Sequence, residues 1–120
     1  PAMALDAINA WWEEHLGHGW YQMELDDNLG TPFVQLQMNF ERPVTPRARL
    51  ICHVWPVKLG NTSITFRVDG FQDGKRCFSF RSVSVFIVAD EFKKCVPPKS
   101  VQDMITPFLG PDWSNERRDA

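Results

Sequence analysis

From residue 2 to residue 16 the apolar positions Met3, Ala4, Ala7, Ile8, Ala10, Trp11 and Trp12 recur with a helical period, and Asp6, Asn9 and Glu13 form one narrow polar stripe. A helix apolar over most of its circumference predicts cover on several sides. Gly17 and Gly19 bracket His18 and supply a stop. No capping Ser, Thr, Asp or Asn announces this helix, so these residues begin inside an element. Residues 20–32 read as irregular, with Asp26-Asp27-Asn28 and Gly30-Thr31-Pro32 as turn formers.

From residue 33 the period changes to two. Val34, Leu36, Met38 and Phe40 alternate with Gln35, Gln37 and Asn39, a half-buried strand ended by Pro43-Val44-Thr45-Pro46. Residues 48–57 predict a second strand, apolar on both faces, and Leu59-Gly60-Asn61 a reversal into a third. There Ile64, Phe66 and Val68 alternate with Thr65, Arg67 and Asp69. Asp73-Gly74 is a hairpin signal leading into a long strand over 75–90. In it the alternation starts on Phe78 and Phe80 and resumes on Val83, Val85 and Ile87, which predicts a bulge or a change of buried face near Arg81-Ser82. Ser100-x-x-Asp103 resembles a capping box for a short helix stopped by Pro107. The expected organisation is one domain over residues 1–113 and a frayed tail over 114–120. An α+β fold follows, in which a long antiparallel sheet curls around one apolar helix.

Composition narrows the function classes. With 120 residues the chain is long enough to bury a core without staples. Its longest apolar run, Val85–Ala89, is five residues, far below the roughly 18 that span a membrane, and no signal-peptide pattern opens it. Thirteen basic against fifteen acidic residues argue against nucleic acid or a membrane surface held by bulk charge. The five tryptophans and nine phenylalanines therefore read as core and interface. Cys52, Cys77 and Cys95 form no Cys-x-x-Cys pair, which excludes a disulfide framework or zinc ribbon and points to a reducing cytoplasm. His15-x-x-His18 lacks a third ligand at a diagnostic spacing, since His53 is on a strand with Cys52 on its other face. Neither metal nor cofactor is expected. No Gly-x-Ser-x-Gly elbow occurs.

The order Asp6-Ala7-x-x-x-Trp11-Trp12, Gly30-Thr31-Pro32-Phe33-Val34, Phe40-x-x-Pro43, Leu59-Gly60-Asn61-Thr62-Ser63 and Val96-Pro97-Pro98 resembles the 4-hydroxybenzoyl-CoA thioesterase-like branch of the hotdog fold. The resemblance spans residues 4 to 109 and implies a curved antiparallel sheet around the first helix. It also implies a homodimer or tetramer, with acyl-CoA at the dimer interface. It further implies a strand and a loop with a catalytic aspartate ahead of the helix, for which these residues offer no counterpart. Asp6 matches a helix position instead. A second branch carries its glutamate within the helix, but Glu13 and Glu14 sit near the C-terminal end, where the dipole disfavours an anion.

Thioester hydrolysis needs a carboxylate and N–H donors aimed at the oxyanion, which a helix N-terminus supplies. Asp6 and Asn9 are the polar groups near that first turn, although the same spacing suits a solvent stripe. Arg42, Arg47, Arg49, Lys58 and Arg67 are candidates for the coenzyme phosphates, and Asn61, Thr62 and Ser63 for hydrogen bonds to its arm. Turn chemistry and a solvated strand face explain the same residues. The substrate-binding set carried forward is Lys58, Asn61, Thr62, Ser63 and Arg42. The leading expectation is a cytoplasmic acyl- or aroyl-CoA thioesterase. The alternative is a non-catalytic hotdog module that binds an acyl-thioester or another apolar ligand, or serves in assembly. A dehydratase is weaker, because no strand histidine with a helical acid partner stands out.

Overall fold

A computed structural model describes residues 2–17 and 19–113. The first apolar pattern forms α1 (Ala2–Leu16), closed by Gly17 at φ 91°, whose N–H meets the Glu13 carbonyl at 3.1 Å. Residues 20–32 are not irregular throughout: Trp20–Asp27 form a second helix, α2. It inserts Met23 into the core and ends on left-handed Asn28 (φ 51°), whose N–H bonds the Met23 carbonyl. The Asp-Asp-Asn run is thus the end of a helix, and β1 (Leu29–Gly30) follows at once.

The strands come next in the chain: β2 (Phe33–Phe40), β3 (Ile51–Leu59), β4 (Ser63–Gln72) and β5 (Lys75–Val85). They pair antiparallel in the order β2-β5-β4-β3. Asp73 (φ 52°) and Gly74 (φ 74°) make the predicted tight hairpin. The strand expected over 48–57 starts only at Ile51, because the Gln72 side chain holds the Thr45 N–H and the Thr45 and Ala48 carbonyls of the preceding loop. The one expected over 75–90 breaks at Phe86, after which β6 (Ile87–Val88) joins β1 and β7 (Lys93–Lys94) in a small separate sheet. Next come α3 (Lys99–Ile105) and a single 3₁₀ turn, Thr106–Phe108. Ser100 lies inside α3 and caps nothing, since Pro98 occupies the N-cap without a side-chain bond.

No bulge sits at Arg81-Ser82. Pairing of β5 with β4 is regular from Phe78 to Val85, and the irregularities fall at Gly70/Phe71 and at Phe33/Gln35. The apolar residues of β5 change face instead. Its inner face carries Phe78 and Phe80 and then the buried Ser82 and Ser84, while Val83 and Val85 lie half-buried on the outer face. Gly70 lies opposite Phe78, and a Cβ there would stand 2.2 Å from the ring, so only glycine lets Phe78 lie down over β4.

Helix α1 covers the β3 and β4 half of the inner face. It buries Ala4, Ile8, Trp11 and Trp12, with Trp11 and Trp12 edge-on to Phe66 at 5.1 and 5.7 Å. Within one copy the helix is covered along this stripe only, and Met3 and Ala10 remain exposed. The edge strand β2 is likewise bare: Val34, Leu36 and Phe40 are 60, 46 and 66% exposed.

Candidate functional site

The predicted site residues fall into three places. Asp6 is exposed on the second turn of α1, and no acidic residue stands in its first turn. Asn9 is half-buried, donates to Glu13 Oε1 at 3.3 Å, and packs so tightly on Gly19 that a Cβ there would lie 2.6 Å from its amide. Glu13 and Glu14 are exposed on the last turns. His15 packs between Trp11 and Phe108, with ring centroids at 4.5 and 4.3 Å, and His18 lies outside the described residues. Among the described residues no three His, Cys, Asp or Glu side chains gather as a metal ion requires. No helix among the described residues is long and apolar enough to cross a membrane.

Lys58, Asn61, Thr62 and Ser63 do come together, on the turn between β3 and β4. Lys58 follows the β3 irregularity at Pro56/Lys58, the Gly60 N–H bonds the Ser63 carbonyl at 2.9 Å, and the Thr62 carbonyl accepts from Phe86 N–H at 2.8 Å. Arg42 does not join them. Its N–H bonds the Cys77 carbonyl at the other end of the sheet. The length of β4 between the two ends is about 30 Å at the usual strand rise.

The outer face of the sheet holds a polar cluster that the sequence reading did not foresee. Arg67 and Asp69 alternate with the core residues of β4, as predicted, yet both are buried. Arg67 is not available to a phosphate: its Nε and Nη2 hold the two Asp69 oxygens at 2.9 Å each, and its guanidinium lies over the Trp55 ring at 5.1 Å. Asp69 also accepts from Ser79 Oγ at 2.8 Å and faces Arg76 Nη1 at 3.4 Å. Arg76 reaches on to Glu41. The Arg76 hydrogen bond, opposed by burial, holds the Glu41 carboxyl below its ordinary value. Burial raises the Cys52 thiol above its own.

Cover for this cluster comes from a strap over residues 109–113. The Gly110 N–H bonds the Pro56 carbonyl at 2.9 Å, Trp55 Nε1 donates to the Pro111 carbonyl at 3.1 Å, and Asp112 takes Arg81 in a forked pair at 2.9 and 3.0 Å. Trp113 Nε1 donates to Ser79 Oγ at 2.6 Å. Beside the strap, a cavity of about 340 Å³ opens between His53, Trp55, Asp69 and Phe71.

The strap has a pH dependence of definite sign. Burial alone would raise the Asp112 carboxyl. The Arg81 hydrogen bonds, the Trp113 N–H and the charges of Arg81 and Arg67 outweigh it and hold the group below its ordinary value of 3.8. A depressed carboxyl contributes stability that is complete above its unfolded value and is lost as the pH falls through the folded one. Amide exchange at Gly110, corrected for intrinsic rate, is expected to accelerate as the pH drops below about 4. Asp112→Asn should exchange fast at every pH and cost about 1 kcal/mol. A pH-independent exchange rate in the unmodified chain would contradict this assignment.

The family described as the thioesterase superfamily matches residues 6–78, and no curated protein matches the chain. A thioesterase superfamily protein from Jannaschia sp. CCS1 is 52% identical, with TM-score 0.89, over 92% of this chain and 78% of its own. A 1,4-dihydroxy-2-naphthoyl-CoA thioesterase from Synechocystis is 17% identical, with TM-score 0.77, over 92% and 81%. A gentisyl-coenzyme A thioesterase is 20% identical, with TM-score 0.72, over 84% and 77%. The last two are alike in fold, the hotdog arrangement of an antiparallel sheet with a helix on its inner face.

Proposed function

The chain belongs to the thioesterase superfamily, and from that premise we propose that it hydrolyses an acyl- or aroyl-coenzyme A thioester in a pocket closed by a second copy of itself. The observation that carries this reading is the half-covered inner face. Helix α1 is buried along one stripe, and β2 offers an unpaired edge with Val34, Leu36 and Phe40 exposed. Exposed apolar edge strands are otherwise avoided. A second copy laid against them gives an apolar chamber for the acyl group. That pairing makes a homodimer, or a tetramer built from it.

The chemistry is assigned to the first turn of α1. Its backbone N–H groups have no intrahelical partner and suit the oxyanion of the tetrahedral intermediate. Asp6 and Asn9 are the polar side chains of α1 nearest in sequence to that turn. The turn bearing Lys58, Asn61, Thr62 and Ser63 supplies hydrogen bonds and one cation to the coenzyme arm, and Arg42, at the far end of the sheet, meets an anionic group there. Fold relatives named for aromatic coenzyme A thioesters support the aroyl end of the substrate range. Three free cysteines suit a reducing cytoplasm.

One observation favours the non-catalytic module as a second reading: the first turn of α1 holds no acid. Thiol release from a panel of acyl- and aroyl-CoA esters, read beside direct binding of the same esters, separates the two. Turnover is the expected result, and saturable binding without turnover would assign the chain to the second reading. Sedimentation should give two copies or a multiple of two. A stable monomer would remove the pocket.

A further inference from the structure

Charge is distributed unevenly along this chain. No lysine or arginine precedes Arg42, whereas residues 41–81 carry eight of them against three aspartates and glutamates. Three of the eight are committed: Arg67 to Asp69, Arg76 to Glu41 and Asp69, and Arg81 to Asp112. Lys58 lies at the β3–β4 turn. Among the described residues no ion pair holds the side chains of the remaining four, Arg42, Arg47, Arg49 and Lys75, although Arg42 lies in the field of the Glu41 carboxylate, and the four gather at the opposite end of the sheet. Arg47 and Arg49 flank Ala48, whose carbonyl is fixed by the buried Gln72 amide at 2.8 Å. Lys75 pairs with Gln72 across the hairpin, and Arg42 is tied to Cys77. These cations therefore stand on anchored backbone.

The lining of the cavity beside the strap reaches Phe71, toward the same end. Phe71 pairs with Ile51 on one side and with Arg76 on the other, and Ile51 is two residues beyond Arg49. The His53 and Phe71 rings form an edge-to-face corner at 5.2 Å, with Trp55 as a further wall. The carboxylates nearby are Asp69 and Glu41, both neutralised by arginine, and Asp73 at the hairpin tip.

We propose that this corner of the outer face is a nucleotide-binding site, taking a planar base against His53 and Phe71 and its phosphates on Arg47 and Arg49, with Lys75 extending the positive rim. Aromatic walls hold a base by stacking, and arginine holds phosphate by charge-assisted hydrogen bonds. The site lies on the sheet face opposite α1. It is separate from the acyl pocket and goes beyond thioester hydrolysis.

Titration of the purified chain with adenosine 3′,5′-bisphosphate at low salt tests it. Saturable binding is expected, with adenosine and pyrophosphate each weaker. Arg47→Ala/Arg49→Ala should lower affinity about tenfold or more and flatten its salt dependence. His53→Ala should lower it about tenfold. All three positions are exposed, so these variants keep the fold. Absence of binding, affinity unchanged in either variant, or pyrophosphate bound as tightly as the bisphosphate would overturn the proposal. The isotherm needs no turnover, so this site and the hydrolase reading fail separately.

Discussion

Asp69→Ala is expected to lower the free energy of unfolding by about 3–5 kcal/mol, the range for removing one partner of a buried ion pair. Asp69 is the hub of the outer-face cluster: it receives both arms of Arg67, the Ser79 hydroxyl and one Arg76 nitrogen. Its loss takes the forked partner from the buried Arg67 guanidinium, and Ser79 loses the acceptor of its O–H, which leaves its oxygen turned to accept from Trp113 Nε1. The cost is the desolvation of a buried cation that has lost its forked carboxylate, so removing the cation as well should recover much of it. Arg67→Met/Asp69→Leu is expected to unfold in urea closer to the unmodified chain than Asp69→Ala does. A single-variant loss below about 1 kcal/mol, the scale of an exposed pair, would show that water reaches the cluster.

Phe66→Ala should cost a similar amount, about 3–5 kcal/mol, for a different reason. Phe66 is 1% exposed and is the sheet residue on which Trp11 and Trp12 both rest. Truncation leaves a cavity under the middle of α1 that two indoles on one helix cannot both fill. Urea unfolding followed by tryptophan fluorescence should report the loss, and a red-shifted native spectrum should report water reaching the indoles. Preserved stability would mean that α1 is held to the sheet mainly by its ends, through Ala4 and Ile8 on one side and the His15 contact with Phe108 on the other.

The contrast between these residues marks how far the sequence could be read. Phe66 declares itself: it alternates with polar neighbours on a strand, and the helix above shows a matching apolar stripe. The four strands and α1 were legible for that reason. Helix α2 was not, because Met23 is its one buried described side chain and its acidic end reads as a turn. For Arg67 and Asp69, period-two alternation identified the face but could not say whether it was covered. The cover comes from residues 109–113, some forty positions later. Within the proposed site, Lys58 and the Asn61–Ser63 turn could be grouped because they are neighbours in sequence. Arg42 could not be placed relative to them, since strand register alone decides which end of the sheet a loop occupies.

The strap also sets an order of events in time. At roughly 5–20 residues per second of synthesis, β2 through β5 exist for about one to five seconds before residues 109–113 are made. During that interval Arg67 and Asp69 pair on a face still open to water, and Ser79 and Arg81 have no indole or carboxylate to meet. The nascent sheet can therefore assemble its helix-covered side early, but its other side stays hydrated until the chain returns across it. Sealing that face is a late step in the life of the molecule, reserved for a segment that crosses three strands already in register.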